Sequence, residues 1–226
     1  MQGLNRPILK VDSLNVYLSR EWILQNISFE VLPNDFFTVI GANGGGKTVL
    51  LKCLVGLLPF KGTVAWKEGV AIHYMPSALS PAKITIPLTI EEFFSLRKVG
   101  RERARELLDS LGMDHVPLSR KLQELSFGEF QATVFAWVLS KVEEGSVLVL
   151  DEPTTGIDQR RKDFMLAFLK DLWEEKRATV IMATHDLKAV KRHSTRVLGI
   201  FRKVLYYGDP SGLSPEVLAR LYGGGA

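Results

Sequence analysis

The sequence predicts an α/β protein whose parallel-sheet core is preceded by an antiparallel β region and interrupted by an inserted α-helical subdomain. Three observations carry that prediction. Short β-rich runs fill the opening third, apolar residues recur at helical spacing across 88–139, and strand–helix alternation resumes beyond it. At 226 residues, 46% hydrophobic and 24% charged, the chain has the length and apolar share to bury a full core without disulfide or metal staples.

ILKVDSLNV and ILQNISFEV read as strands, the second with an apolar residue at every other position, and FFTVIG follows as a third. A glycine-rich turn then leads into KTVLLKCLVGLL, whose apolar density and strong helix formers predict a buried helix. The three pieces make one strand–loop–helix unit. TVAW and VAIHYM are two further strands, and PSALSP at 76–81 breaks regular structure. Within the insert, Thr89 and Glu92 have the spacing of a capping box, and RERARELLDSLG has an amphipathic pattern that stops at Gly112. VLVL, ATVIMAT and RVLGIF then restore buried strands, with a long helical segment at 158–176 between the first two. Ser214-Pro215-Glu216 supplies an N-cap and an N1 proline for a last short helix, after which the GGGA tail is expected to fray. The expected division is a core from residues 1–75 and 136–226 and a helical subdomain from 76–135.

Composition also excludes several classes of function. With Cys53 as the only cysteine, neither an intrachain disulfide nor a multi-cysteine zinc site can form, and a reducing, cytoplasmic setting is expected. The opening MQGLNRPILK lacks the apolar run of a secretory signal, and no stretch approaches the roughly 20 apolar residues of a membrane-spanning helix. No direct membrane insertion is expected, and any membrane role would come through a partner. The net charge of +4 is small and its basic residues are scattered among 25 acidic ones, so nucleic acid is not an expected partner.

Chemistry is concentrated in three places. Gly41-Ala42-Asn43-Gly44-Gly45-Gly46-Lys47-Thr48 matches G-x-x-x-x-G-K-[ST], in the strand-to-helix context that a phosphate loop requires. Glycines let backbone N–H groups turn toward phosphate oxygens, Lys47 reaches the β- and γ-phosphates, and Thr48 can ligate Mg²⁺. The core is therefore expected to be that of a P-loop NTPase. VLVLDE at 147–152 is a buried-strand run that ends in two carboxylates, Asp151 and Glu152, at the edge where parallel sheets bind ligands. A cation such as Mg²⁺ relieves their repulsion. Because successive strand residues face opposite sides, one acid is expected at the metal and the other at an attacking water. A solvated strand end fits the same two residues. LSFGEFQ at 125–131 precedes an apolar helix, and Ser126 with Glu129 makes a second capping box, which is by itself a complete structural explanation.

The order and spacing of these segments resemble the ATP-binding-cassette family, and the likeness spans most of the chain. The resemblance makes the glycine loop the Walker A motif, with Gly41, Asn43, Gly44, Gly45, Gly46, Lys47 and Thr48 around the phosphates of ATP, and VLVLDE the Walker B motif. It implies that Asp151 joins Thr48 at Mg²⁺, that Glu152 is the general base, and that Lys47 and His185 are catalytic beside it. LSFGE resembles the family signature, which implies that Ser126, Gly128 and Glu129 contact nucleotide held by the opposite subunit of a homodimer or pseudo-dimer. PTTGID at 153–158 resembles the D-loop, which implies Asp158 at the subunit interface. His185, after ATVIMAT, resembles the switch histidine, whereas His73, His115 and His193 are read as surface or satisfied core residues. Tyr17 is assigned to adenine, although Leu18 occupies the family's stacking position and packing within the first sheet also accounts for Tyr17.

Two departures from the family pattern bear on coupling. Ser77 stands where a glutamine is usual after the strand Ile72-His73-Tyr74-Met75, and no glutamine occurs between Gln25 and Gln123. The serine hydroxyl is too short to reach the metal, so a bridging water is expected. Phe127 replaces a glycine and Ala132 an arginine in the signature, which predicts a more apolar dimer face with the Ser126 and Gly128 contacts retained. In size the chain resembles single-cassette subunits that energise a separate transmembrane permease from the cytoplasmic face of the membrane. PLTIEEFF at 87–94, with YGDP and LSPE near the end, resembles the ATPases of zinc and manganese importers, so metal-ion import is the expected process. A soluble ATP-driven assembly factor without a permease, or an exporter subunit, are the alternatives.

Overall fold

The computed structural model describes residues 6–77, 81 and 86–223; residues 1–5, the centre of the PSALSP break at 78–80, residues 82–85 and the tail beyond 223 lie outside the described residues. In chain order the elements open with β1 (Leu9–Leu18), β2 (Glu21–Val31), β3 (Phe36–Ile40), α1 (Lys47–Leu54), β4 (Lys61–Trp66) and β5 (Ile72–Met75). Three helices follow, α2 (Ile90–Ser95), α3 (Arg101–Asp109) and α4 (Phe127–Leu139). The chain then resumes with β6 (Val147–Asp151), α5 (Gln159–Glu175), β7 (Thr179–Ala183), α6 (Leu187–His193), β8 (Arg196–Phe201), β9 (Lys203–Gly208) and α7 (Pro215–Tyr222).

The expected antiparallel region is a sheet of order β2-β1-β4. Ser19 and Arg20, at φ 49° and 69°, turn the chain so that Leu18 pairs with Glu21 and Leu9 with Val31. Leu9, Val11, Leu14 and Val16 point inward while their neighbours Lys10 and Asp12 stay in water, the alternation that a sheet with one wet face requires.

The second sheet has the order β5-β6-β7-β3-β8-β9, parallel through β8. β3, β6 and β7 are buried at every position, as strands covered on both faces must be. β9 was not foreseen from sequence: Arg202 at φ 59° turns the chain straight back, and β9 pairs antiparallel with β8. KVLYYG has no clean two-residue alternation, so the free edge of β8 decides its conformation. The consequence for function is that β6, β7 and β3 lie side by side, which brings their carboxyl ends to one edge.

The insert packs as part of the core. Phe94, Leu107, Leu108, Phe130 and Phe135 form one continuous apolar cluster with Phe36, Leu148, Leu150 and Met182 of the large sheet. α4 runs unbroken through 135 and 136, the expected border between subdomain and core. Its end is tied back to α2 by Arg97, whose Nη1 donates to the carbonyls of Trp137 and Val138 at 2.8 Å each. The guanidinium lies 4.9 Å over the Trp137 ring, which stacks on Phe93 at 4.6 Å.

Candidate functional site

The glycine loop leaves β3 and enters α1 through Gly46, which caps the helix at φ 101°. A Cβ there would meet Leu24 Cδ2 at 2.5 Å and one on Gly41 would overlap the Ile200 carbonyl, so both positions need glycine. The Gly45 N–H donates to Ala42 O at 3.1 Å, and Gly45 O accepts from Arg202 N at 3.0 Å, which pins the loop to the β8–β9 turn. Among the described residues, the amides of Asn43, Gly44 and Gly46 find no hydrogen-bond acceptor. With the positive end of α1 behind them, they form an anion cradle.

Lys47 is 6% exposed and points into the loop, its Nζ donating to Gly41 O at 2.9 Å and Ala42 O at 3.3 Å. It also lies 3.7 Å from Glu152 Oε1. At the end of β6, Asp151 is fully buried and its Oδ1 accepts from Thr48 Oγ1 at 3.2 Å, while Oδ2 has no hydrogen-bond partner among the described residues. A bare buried carboxylate oxygen beside a hydroxyl is costly unless something charged meets it, and hard oxygen donors suit a divalent cation. Among the described residues no group of three or more His, Cys, Asp or Glu could hold a metal, so a cation here would share its shell with phosphate and water.

Strand alternation alone does not separate the two acids, contrary to the sequence expectation. Glu152 has left the strand at φ 49°, a left-handed conformation that costs a non-glycine residue about 1–3 kcal/mol, while its N–H still donates to Ala183 O at 3.0 Å. The turn swings the carboxylate onto Thr155 Oγ1 at 2.9 Å and His185 Nδ1 at 3.4 Å. His185 follows β7 and precedes Asp186, which caps α6 and pairs with Lys162. Burial raises the Asp186 pKa, but the Lys162 contact and the Ala189 and Lys188 amides outweigh it and hold it below the ordinary range. A cavity of about 340 Å³ results, lined by the start of the glycine loop, Glu152, Thr155, His185 and Tyr222. Thr155 and Tyr222 were not among the expected site residues. Thr155 lies within PTTGID, where the motif itself marks it; Tyr222 carries no local signal.

Ser126, Gly128 and Glu129 do not line that cavity. They form the expected capping box: the Glu129 N–H donates to Ser126 Oγ at 3.3 Å, and the Ser126 N–H to Glu129 Oε2 at 2.8 Å. Burial raises the Glu129 pKa, but its bonds to Ser126 and the nearby Arg120 and His115 bring it below the usual carboxylate value. Asp158 caps α5 by accepting from the Arg161 N–H at 2.9 Å, and that bond foremost keeps its pKa low. The Arg161 guanidinium lies so close to Gly128 that a Cβ there would be 2.8 Å from Nη1. Tyr17 is 55% exposed, meets Trp22 edge-on at 5.1 Å and lines a separate cavity of about 720 Å³ with Asn15, Pro59, Phe60 and Lys61. Ser77 lies two residues beyond β5, whose last residue Met75 pairs with Leu150.

The ABC transporter family profile matches residues 24–155. The chain is 32% identical over 226 residues, 99% of its length and 84% of the relative's, to the zinc import ATP-binding protein ZnuC of Histophilus somni. It is 35% identical over 222 residues, 96% of its length and 89% of the relative's, to ZnuC of Cereibacter sphaeroides. In fold it matches a solved ATP-binding cassette of an ABC transporter in its ADP conformation, with a TM-score of 0.75 at 20% identity over 97% of this chain and 100% of that one. It also matches cbiO1 from Clostridium perfringens, part of the ABC transporter complex cbiONQ, with a TM-score of 0.72 at 23% identity over 96% and 94% of the two chains. Sequence likeness over nearly the whole length, on a fold that buries Lys47 within the glycine loop, leads to one assignment: the chain belongs to the ABC transporter family, as an ATP-binding and ATP-hydrolysing subunit.

Proposed function

We propose that this chain energises the import of a zinc-type divalent metal ion through a separate transmembrane permease. The observation that carries the substrate class is the 32% and 35% identity to two zinc import ATP-binding proteins over nearly the full chain. In the ATPase step, the free amides of the glycine loop take the phosphates of ATP. Lys47 exchanges Gly41 O, Ala42 O and Glu152 for β- and γ-phosphate oxygens, and the exchange releases the Glu152 carboxylate. Glu152 then accepts the proton of the attacking water, while Thr155 Oγ1 and the His185 ring orient it and His185 reaches the γ-phosphate. Thr48 Oγ1 and Asp151 Oδ2 are the groups that would hold Mg²⁺, which when bound neutralises charge on the β- and γ-phosphates.

The signature serves the nucleotide held by a second copy or a paralogous cassette. Ser126 is exposed at the start of α4, and with Gly128 and Glu129 it faces γ-phosphate held by the partner, Asp158 lying at the same interface. Tyr17 remains the aromatic proposed for adenine. An apolar cavity of about 540 Å³, lined by Cys53, Leu57, Phe60, Trp66 and Tyr74, receives a cytoplasmic helix of the permease. Among the described residues no helix is long and apolar enough to cross a membrane. In this reading the permease holds the chain peripherally on the cytoplasmic face. A tagged chain purified from mildly solubilised native membranes should recover a multi-span protein with polar intramembrane residues. Leu57→Glu should lose that partner and keep ATP binding; recovery of soluble partners alone overturns the transport reading in favour of an assembly factor.

A further inference from the structure

The end of α7 is held against the glycine loop from two sides. Leu221 is fully buried and occupies the space beside Gly199, where a Cβ would be 2.8 Å from its Cδ1. Its carbonyl accepts the Ala42 N–H at 3.2 Å. The direction of the next residue is thereby set, and Tyr222 lines the cavity that also holds Gly41, Asn43, Glu152 and His185. Its hydroxyl oxygen is buried and, among the described residues, receives no hydrogen bond of good geometry, the Gly41 amide only lying near it. A buried hydroxyl without a partner costs about 1–3 kcal/mol, so packing alone does not account for tyrosine rather than phenylalanine at this position.

The phenol meets a donor-poor need from only one direction. Glu152 keeps Thr155 and His185 beside its carboxylate even when Lys47 turns to phosphate. The terminal phosphate of ATP, by contrast, brings several acceptor oxygens into the same cavity. Burial raises the phenol pKa, the Gly41 amide offsets part of that rise and the Glu152 charge adds to it, so the group remains a proton donor at neutral pH.

We propose that Tyr222 is a further nucleotide-binding residue, whose hydroxyl donates a hydrogen bond to the terminal phosphate of ATP. The proposal rests on reading this cavity as the terminal-phosphate site. ADP lacks that phosphate, so the hydroxyl distinguishes ATP from ADP, and it does so from the last helix of the chain.

Equilibrium binding of ADP and of a non-hydrolysable ATP analogue to the intact chain tests this with two variants. Tyr222→Phe keeps the ring and hence the seat of α7. It should bind ADP as the native chain does and the ATP analogue about tenfold more weakly. Lys47→Ala should lose both nucleotides. If Tyr222→Phe binds the analogue normally, or loses both nucleotides equally, the tyrosine assignment is wrong while the Lys47 result still supports the site. A shifted pH profile of turnover with an unchanged ATP-to-ADP affinity ratio would place the phenol on Glu152 and also overturn the proposal. Undiminished binding in Lys47→Ala overturns the site reading itself.

Discussion

Lys47 and Ser126 both sit in short glycine-containing motifs just at the start of a helix, yet the fold treats them oppositely. Lys47 is 6% exposed and surrounded by Gly41, Ala42 and Glu152, groups delivered by two different strands. Ser126 is exposed, and its hydroxyl is taken up by the amide of Glu129 three residues away. Thr89 makes the same capping box with Glu92, its hydroxyl accepting from the Glu92 N–H at 3.2 Å, without any phosphate chemistry attached. The contrast teaches that a phosphate site finished within one chain can be read from its own contacts. A site completed by a partner, as proposed for Ser126, would look in one copy like an ordinary helix cap.

The largest effect that could break this contrast is at the finished site. Glu152→Gln should leave ATP binding intact and lower phosphate release by about 10²–10⁴-fold, the range for loss of a positioned general base. Normal turnover in that variant would remove Glu152 from the role. The two capping boxes supply the next test. Ser126→Ala and Thr89→Ala should each cost about 1 kcal/mol in denaturant unfolding, because each removes one N-cap acceptor. Only Ser126→Ala should also lower turnover, by at least about tenfold if its hydroxyl meets a partner's phosphate. Equal turnover in the two variants would reduce the signature to a cap.

A smaller, purely structural effect serves as control. His73 has a pKa lowered from 6.5 by burial and by the Arg97 charge, with Glu143 offsetting part, and His193 is lowered by burial, Arg192 and Lys170. The unfolded chain therefore takes up protons below about 6.5 that the folded chain refuses. Stability should be level above that pH and fall as pH drops from 6.5 toward the folded values. Glu129 and Asp186, whose pKa values are lowered from 4.5 and 3.8, add their own loss only at more acid pH. Thermal melts between pH 7.5 and 5.5 should show the decline, and His73→Gln should flatten part of it. The same slope in His73→Gln and the native chain would exclude His73 as a source.

Much of the finished site was legible because its determinants are contiguous. Gly41 through Thr48 carry their own backbone requirements, and four buried residues ending in Asp151 and Glu152 announce a strand edge. The caps at Thr89, Ser126 and Ser214 were equally local, since each side chain bonds an amide three residues on. What one strand cannot state is its neighbours. The left-handed turn at Glu152, the contact of Thr155 with its carboxylate, and the return of β9 along β8 depend on packing around them. Tyr222 reaches the glycine loop only because α7 seats Leu221 against Gly199 and Ala42, at the far end of the chain. The sequence by itself determined the phosphate loop, the acid pair, the caps and the α/β class, because backbone preference and hydrophobic period act over a few residues. The tertiary structure alone decided which groups share the cavity, because the order β6-β7-β3 and the docking of α7 join residues that no local preference connects.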